Sequence, residues 1–394
     1  MHIVHLGKYY HPAVGGMESL IHAQAEAQVQ SGHRVDVVAV NHITPAGKDV
    51  LDAALGVTST IRESNGGLTV HRVGRFGNFA KFDLTTTLGA TLRSIALEKP
   101  DIWHLHTPNA TMVLGLRSLL KVCQPLIVTH HGDIINQRLL KSAYETAERR
   151  VYSKARVILS DSANYIDGSR QLQPHLSKVD VLPIGIDSRD YQNPSAEVLE
   201  WERGYRDQFG QPMWLCVGRL TPYKALEIAM QALVTTPGHL VVIGVGPCEQ
   251  AWKQLAEQLR VADRVHWMGR CSDTQLRAAY RAATALWFPS NARNEGFGIV
   301  QIEAMASGCP VINTDIPHSG VSWVSQHDQT GYTVPVNDAA SLSASACRLW
   351  EQPRLRQSFS VAARLRAARF DQETLNKKCM EIYRQAAVAD LEQQ

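Results

Sequence analysis

The stretch ALWFPSNARNEGFGIVQIEAMASGCPVIN, residues 285–313, decides the fold. It opens on a short apolar run, Ala285–Pro289, with the length and composition of a buried strand. A loop follows in which Gly296 and Gly298 flank Phe297, and Val300–Ser307 then carries apolar residues at helical spacing. Gly308-Cys309-Pro310 stops that helix, and Val311–Asn313 starts another apolar run. Strand, glycine loop, helix, turn and strand make one βαβ unit, whose strands lie parallel. Glu295 on the loop and Glu303 on the helix are separated by seven residues. The glycine turn aims the helix N-terminus, with its partial positive charge, at the crevice beyond the strand ends.

The same alternation runs outward in both directions. Toward the N-terminus the strand candidates are His2–Leu6, Val35–Val40, Leu68–Val73, Ile102–His106, Leu126–Thr129, Val157–Ser160 and Val179–Leu182. Around the opening stretch they are Met213–Val217, His239–Ile243, Val265–Met268 and Gly331–Val334. Helical spacing is clearest at Gly16–Gln30, Gln137–Tyr152, Ala225–Leu233, Glu249–Gln258 and Thr274–Ala282. Two α/β sheets in series follow, as 394 residues also favour two domains. The boundary is predicted at 188/189, giving domains 1–188 and 189–371. A last helix, within 372–394, carries Leu375, Cys379, Ile382, Tyr383 and Ala386 on one face and packs back onto the first domain. Residues 41–66 and 74–88, rich in Gly, Thr, Asn and charge, read as mobile loops.

Composition narrows the function. With 44% hydrophobic and 20% charged residues the chain is globular, and a net charge of +3 is too small for nucleic acid as the main partner. The seven cysteines are scattered with no C-x-x-C spacing, which points to a reducing compartment and not to a disulfide framework or a zinc knuckle. The N-terminus reads as a strand and not as a targeting signal, and no apolar run is long enough to span a bilayer. The expected location is the cytoplasm, with the inner face of the cell membrane as a docking surface. Residues 1–185 hold 19 Lys and Arg against 15 Asp and Glu. Their run Arg138, Lys141, Arg149, Arg150, Lys154 and Arg156 is either a solvated helix face or a patch for anionic lipid or a diphosphate-bearing acceptor.

Two further motifs carry chemistry. Gly15 and Gly16 follow the first strand and open a helix, where free N–H groups attract phosphate. Arg219 and Lys224 leave the carboxyl end of the first strand of the second half, placed to grip an anionic ligand. A dinucleotide-dependent oxidoreductase would need G-x-G-x-x-G after strand one, and residues 7–16 lack it.

Residues 289–312 resemble the E-x7-E signature of the retaining glycosyltransferases of family 4, the "glycosyl transferases group 1" family. The resemblance runs nearly end to end: Gly15-Gly16, Thr129-His130-His131-Gly132-Asp133, Pro183-Ile184-Gly185-Ile186-Asp187, Gly218-Arg219-Leu220 with Lys224, Gly244-Val245-Gly246-Pro247, and Asp328 to Gly331. Ala225 departs from it, since the family usually places glycine after the lysine. The resemblance implies an α/β GT-B architecture of two facing Rossmann-like domains with the active-site cleft between them. The first domain would bind the acceptor and the second the nucleotide sugar.

By the same resemblance, Arg219 and Lys224 bind the donor diphosphate and stabilise it as a leaving group. Glu303 takes the ribose hydroxyls, Glu295 orients a hydroxyl of the transferred sugar, and His131 sits beside the reacting sugar. Backbone groups at Gly15, Gly16, Phe297, Gly298 and Ile299 complete the phosphate cradle, while Gly244, Gly246 and Arg270 shape the nucleotide pocket. No cofactor is implied beyond the nucleotide-sugar co-substrate, and no metal, because the chain has no Asp-x-Asp motif and two cations stand in for one. Ser319–His327 resembles the mannosyl- and rhamnosyltransferase subgroup of polysaccharide and O-antigen assembly. That favours a GDP-sugar over the alternative UDP-sugar, with a saccharide or polyprenyl-diphosphate-linked saccharide as acceptor. A sugar-nucleotide epimerase and an inactive sugar-nucleotide-binding scaffold share the architecture; the scaffold is disfavoured because every expected polar position is filled.

Overall fold

The computed structural model describes residues 1–13, 15–43, 57–79, 82–133 and 141–391. Val14, the segment 44–56, and Arg138 with the first residues of the helix expected from Gln137 lie outside them. The chain forms two compact units, Met1–Pro183 with Glu373–Gln394, and Ile184–Gln372. The break at Pro183 precedes the expected 188/189 because Ile186 pairs with the far end of the second unit. Its N–H donates to the Phe370 carbonyl at 2.9 Å, and its own carbonyl accepts from Gln372 at 3.0 Å.

The first unit is built on β1 (His2–Leu6), β2 (Arg34–Val40), β3 (Ile61–Asn65), β4 (Leu68–Val73), β5 (Arg75–Phe79), β6 (Phe82–Thr85), β7 (Ile102–Thr107), β8 (Leu126–His130), β9 (Val157–Ser160) and β10 (Val179–Val181). Eight of these form one sheet in the order β10-β9-β8-β7-β1-β2-β4-β3, parallel except for β3 against β4. Its central strands β1, β2 and β7 are buried on both faces, hence the continuous apolar runs in the sequence. Val4, Leu6, Trp103, Leu105 and Val128 face one layer of helices. On the other face, Ile3, Ile102, Ile127 and Leu159 pack under Cys379, Met380, Ile382, Tyr383 and Ala386 of the last helix, Gln372–Leu391.

Parts of the two segments read as mobile loops are strands. β3 pairs antiparallel with β4 across the Gly66–Gly67 turn, and it is polar and exposed because it is the sheet edge. β5 and β6 form a separate hairpin held by a fully buried Arg75–Asp83 ion pair at 2.9 Å. An edge and an ion-pair core both lack the apolar alternation that betrays a half-buried strand.

The second unit carries β11 (Met213–Val217), β12 (His239–Ile243), β13 (Val265–Gly269), β14 (Ala285–Phe288), β15 (Val311–Thr314) and β16 (Gly331–Val334). They form an all-parallel sheet in the order β13-β12-β11-β14-β15-β16. Trp214 on β11 stacks on Trp287 of β14 at 5.1 Å between ring centroids, at the middle of the core. In each sheet the winding reverses once, between β1 and β7 and between β11 and β14. Such reversals leave a crevice beyond the carboxyl ends of the strands where ligands bind.

Candidate active site

In the second unit the reversal places the loop after β11 beside the loop after β14. Lys224 comes from the first and Glu295 from the second, and Nζ lies 2.5 Å from Oε2. Both side chains are only 12% exposed. The Phe288 ring lies 4.7 Å from the ammonium. The Ser290 hydroxyl donates to the same Glu295 oxygen at 3.2 Å. Arg219 is exposed and, among the described residues, its guanidinium makes no hydrogen bond or ion pair. Ala225, where the family usually has glycine, is left-handed (φ 49°), so the loop keeps the glycine-type bend at the cost of roughly 1 kcal/mol or more of backbone strain.

The Glu295 loop is pinned from behind. Ser319 Oγ donates to the Glu295 carbonyl at 2.5 Å and Gly320 N–H to the Gly296 carbonyl at 2.8 Å. The Ser319–His327 stretch that carries the subgroup resemblance is thus in contact with the loop that presents Glu295. Gly298 then caps helix Ile299–Ala306 at φ 82°; a Cβ there would come within 2.9 Å of the Phe288 ring. Phe297 is buried against Phe370 and Trp323, so its side chain serves packing while Ile299 begins the helix.

Glu303 sits on that helix, and its carboxylate accepts the Tyr280 hydroxyl at 2.7 Å. Burial pushes its carboxyl up; hydrogen bonds from Tyr280 and Tyr191 and the Arg277 charge pull it down, while Asp273 pushes it further up. Arg277 in turn pairs with Asp190 at 2.9 Å and lies over the Tyr191 ring. Tyr280 and Tyr191 were not legible in the sequence, because nothing in their spacing ties them to Glu303.

Gly244 and Gly246 let neighbouring loops approach closely. The loops after β11 and β12 run so close that a Cβ on Gly244 would lie 1.9 Å from the Gly218 carbonyl oxygen. Leu220 N–H donates to the Val245 carbonyl, and Gly244 N–H to that of Gly269, at 3.0 and 2.8 Å. The three loops therefore extend the sheet, with exposed Arg270 at its rim.

In the first unit, His131 follows β8 with both ring nitrogens engaged. Nδ1 lies 3.2 Å from both Asp161 oxygens, and Nε2 3.3 Å from His106 Nδ1. Its ring stacks on His106 at 6° between planes. His130 points elsewhere, to Tyr152 and Asp133. Gly15, extended at φ −179°, caps helix Gly16–Gln30, and the Glu18 carboxylate of the first turn covers it. That carboxylate stands where the sequence places phosphate.

Two family models cover most of the chain: "Glycosyltransferase Family 4" over residues 14–190 and "Glycosyl transferases group 1" over residues 200–366. The D-rhamnosyltransferase WbpZ of Pseudomonas aeruginosa is 30% identical over 355 residues, 90% of this chain and 88% of that one. The chain belongs to glycosyltransferase family 4. Another family relative, the O-antigen chain mannosyltransferase C of Escherichia coli, is 26% identical over 93% of each chain. Among solved structures, the sucrose-phosphate synthase of Thermosynechococcus elongatus superposes with a TM-score of 0.76 at 21% identity, covering 98% of this chain and 99% of that one. HepE of Anabaena, solved with UDP, gives 0.72 at 19%, covering 97% and 99%. The fold of this family 4 glycosyltransferase is GT-B. No helix among its described residues is long and apolar enough to cross a membrane.

Proposed function

We propose that this glycosyltransferase is a retaining, metal-independent hexosyltransferase that moves mannose or rhamnose from a GDP-sugar to a saccharide or lipid-linked saccharide in cell-surface polysaccharide synthesis. The names of the two relatives support the sugar and the pathway class. The observation that carries the chemistry is the Lys224–Glu295 pair beside exposed Arg219 at the sheet reversal. Glu295 holds the lysine in place and keeps its outer oxygen surface for a sugar hydroxyl. Lys224, Arg219 and the first N–H groups of helix Ile299–Ala306 stabilise the charge that develops on the departing diphosphate. Glu303, fixed by Tyr280, takes the ribose hydroxyls, and His131 lines the sugar side of the first unit.

No side chain is assigned as a nucleophile or as a base behind the anomeric carbon. The acceptor oxygen therefore bonds to the anomeric carbon from the face that the phosphate leaves. The carbon–phosphate-oxygen bond breaks, and the departing phosphate oxygen takes the acceptor proton. Melting-temperature shifts with GDP, UDP, ADP and dTDP test the donor, since a ligand of the folded state stabilises it by about 2.7 kcal/mol at 100 times Kd. The largest shift is expected with GDP; a larger one with UDP assigns a UDP-sugar instead. Transfer is expected to survive excess EDTA, and abolition with rescue by Mn²⁺ overturns metal independence. An α-linked donor is expected to yield an α-linked product by anomeric NMR coupling, and a β product overturns retention.

A further inference from the structure

Glu295 stands on a loop with unusual backbone freedom, because Gly296 and Gly298 flank Phe297 and Gly298 is left-handed. Its carboxylate is held from one side: Lys224 Nζ and the Ser290 hydroxyl both meet Oε2, at 2.5 and 3.2 Å. Among the described residues no hydrogen bond reaches Oε1, which leaves that oxygen for a sugar hydroxyl. The main chain beneath is tied to one short segment beyond β15. Arg293 Nε donates to the His318 carbonyl at 2.9 Å, Ser319 Oγ to the Glu295 carbonyl at 2.5 Å, and Gly320 N–H to the Gly296 carbonyl at 2.8 Å. Residues 293, 295 and 296 thus meet 318, 319 and 320 in order. The segment is itself fixed. Ser319 N–H donates to the Ile316 carbonyl at 3.1 Å, and the buried Asn313 amide holds the Val321 and Ser325 carbonyls at 3.0 and 3.1 Å. His318 is left-handed at φ 55°. Ser319 is 1% exposed, so no bulk water stands ready to replace it. Its hydroxyl has one proton to give, and the Val321 N–H donates to the oxygen at 3.2 Å, which turns that proton toward the Glu295 carbonyl.

We propose that Ser319 is a positioning residue that sets where the Glu295 carboxylate stands against the transferred sugar, and that it acts on the reaction through Glu295 alone. This rests on the reading of Glu295 as the residue that orients that sugar. Lys224 and Ser290 fix the direction of the carboxylate, and Ser319 fixes the backbone from which it is presented. The groups assigned to the nucleotide hang on other elements: Arg219 on the loop after β11, and Glu303 on a helix where Tyr280 holds it. Loss of the Ser319 hydroxyl therefore loosens the sugar end of the site and leaves the nucleotide end in place. A group displaced by a full 1 Å can cost about 10²-fold in rate, so a fraction of an ångström at Glu295 corresponds to about tenfold.

The test is a double-variant cycle on the full chain. Rates are read as GDP released from GDP-mannose with water as acceptor, or as UDP from UDP-glucose if the melting shifts assign a UDP-sugar. Ser319→Ala is expected to lower kcat about tenfold while the calorimetric affinity for the free nucleoside diphosphate is unchanged. In a Glu295→Ala background the same substitution is expected to change kcat less than about twofold, because the group it positions is gone. A serine that only holds the fold together would cost the same factor in both backgrounds. Ser319→Cys, which fills similar space with a weaker donor, is expected to fall between wild type and Ser319→Ala, and it serves the cycle if Ser319→Ala fails to fold. Unchanged kcat in the folded Ser319 variants, an equal loss in both backgrounds, or weakened nucleotide binding overturns the proposal. An unimpaired Glu295→Ala overturns the reading of Glu295 and this inference with it. An impaired Glu295→Ala beside an unaffected Ser319→Ala overturns this inference alone.

Discussion

The two units solve one topological problem with opposite chemistry. Each winds a parallel sheet that reverses once, and each puts its polar residues at the reversal. In the first unit these are the imidazoles of His5, His104 and His106 at 0% exposure, bonded among the described residues to one another and to Gln28, Thr129, Tyr383 and His131. In the second they are an ion pair at 12% exposure and an arginine open to solvent. A dry cluster survives by staying neutral and fully hydrogen-bonded, whereas a wet one can keep its charges and offer them to a ligand. On the proposed function the second unit's charges are the ones that meet an anion, while the first unit keeps its histidines inside the sheet.

The largest effect that would sharpen this contrast lies in the second unit. Lys224→Ala is expected to cut turnover by about 10²–10³, the cost of one preorganised group at a developing oxyanion. It also leaves the Glu295 carboxylate, which faced that ammonium, without its ion pair. Steady-state rates check it, and a loss under tenfold breaks the assignment.

Acid should distinguish the units next. The folded-state value of His5 lies below its unfolded value, so between about pH 6.5 and 4 the unfolded chain binds the extra proton. Stability is therefore unaffected above this window and falls as pH drops through it, by about 3 kcal/mol from His5 alone. His104 and His106 act in the same direction. Asp36 adds a loss at lower pH still: burial raises its carboxyl, but hydrogen bonds from His2 and His71 hold it below the ordinary range. Amide exchange at pH 7.5 and 5, corrected for intrinsic rates, is expected to show the first unit loosening first. Equal loosening breaks the comparison.

Glu303→Ala is expected to weaken nucleotide binding by roughly 1.5–3 kcal/mol, as for a hydrogen bond to a charged group, with a smaller loss in Tyr280→Phe. Calorimetry checks both, and undiminished affinity in Glu303→Ala removes it from the ribose. The smallest effect concerns the membrane. Arg149, Arg150 and Lys154 are exposed on helix Lys141–Lys154, and each cation near an anionic surface contributes about 1 kcal/mol. Reversing Arg149 and Arg150 is expected to reduce co-sedimentation with anionic vesicles. If wild type ignores such vesicles at low salt, the face is simply solvated.

The sequence carried much of this at the level of strands and loops. Glu295, Arg219 and Lys224 were legible because glycine turns and strand ends fix where such residues point. Tyr280 beside Glu303, and the seating of Lys224 on Phe288, were not, because they arise from helix packing between distant segments. The buried histidines were visible only as residues in apolar strands. In the sequence Tyr383 is one more apolar position of the last helix, and its hydroxyl gains meaning only when that helix returns to the face that carries His104. β3 and the β5–β6 hairpin escaped because an edge strand and a buried ion pair both look like loops in one dimension.

The central claim is that the second unit grips a nucleoside diphosphate through its wet reversal while the dry one does not bind it. Calorimetric titration of GDP into wild type, Arg219→Ala and Tyr383→Phe tests it most directly. Affinity is expected to fall at least about tenfold in Arg219→Ala, the low end for a charge-assisted bond, and to hold in Tyr383→Phe. Undiminished affinity in Arg219→Ala, or an equal loss in both variants, would contradict it.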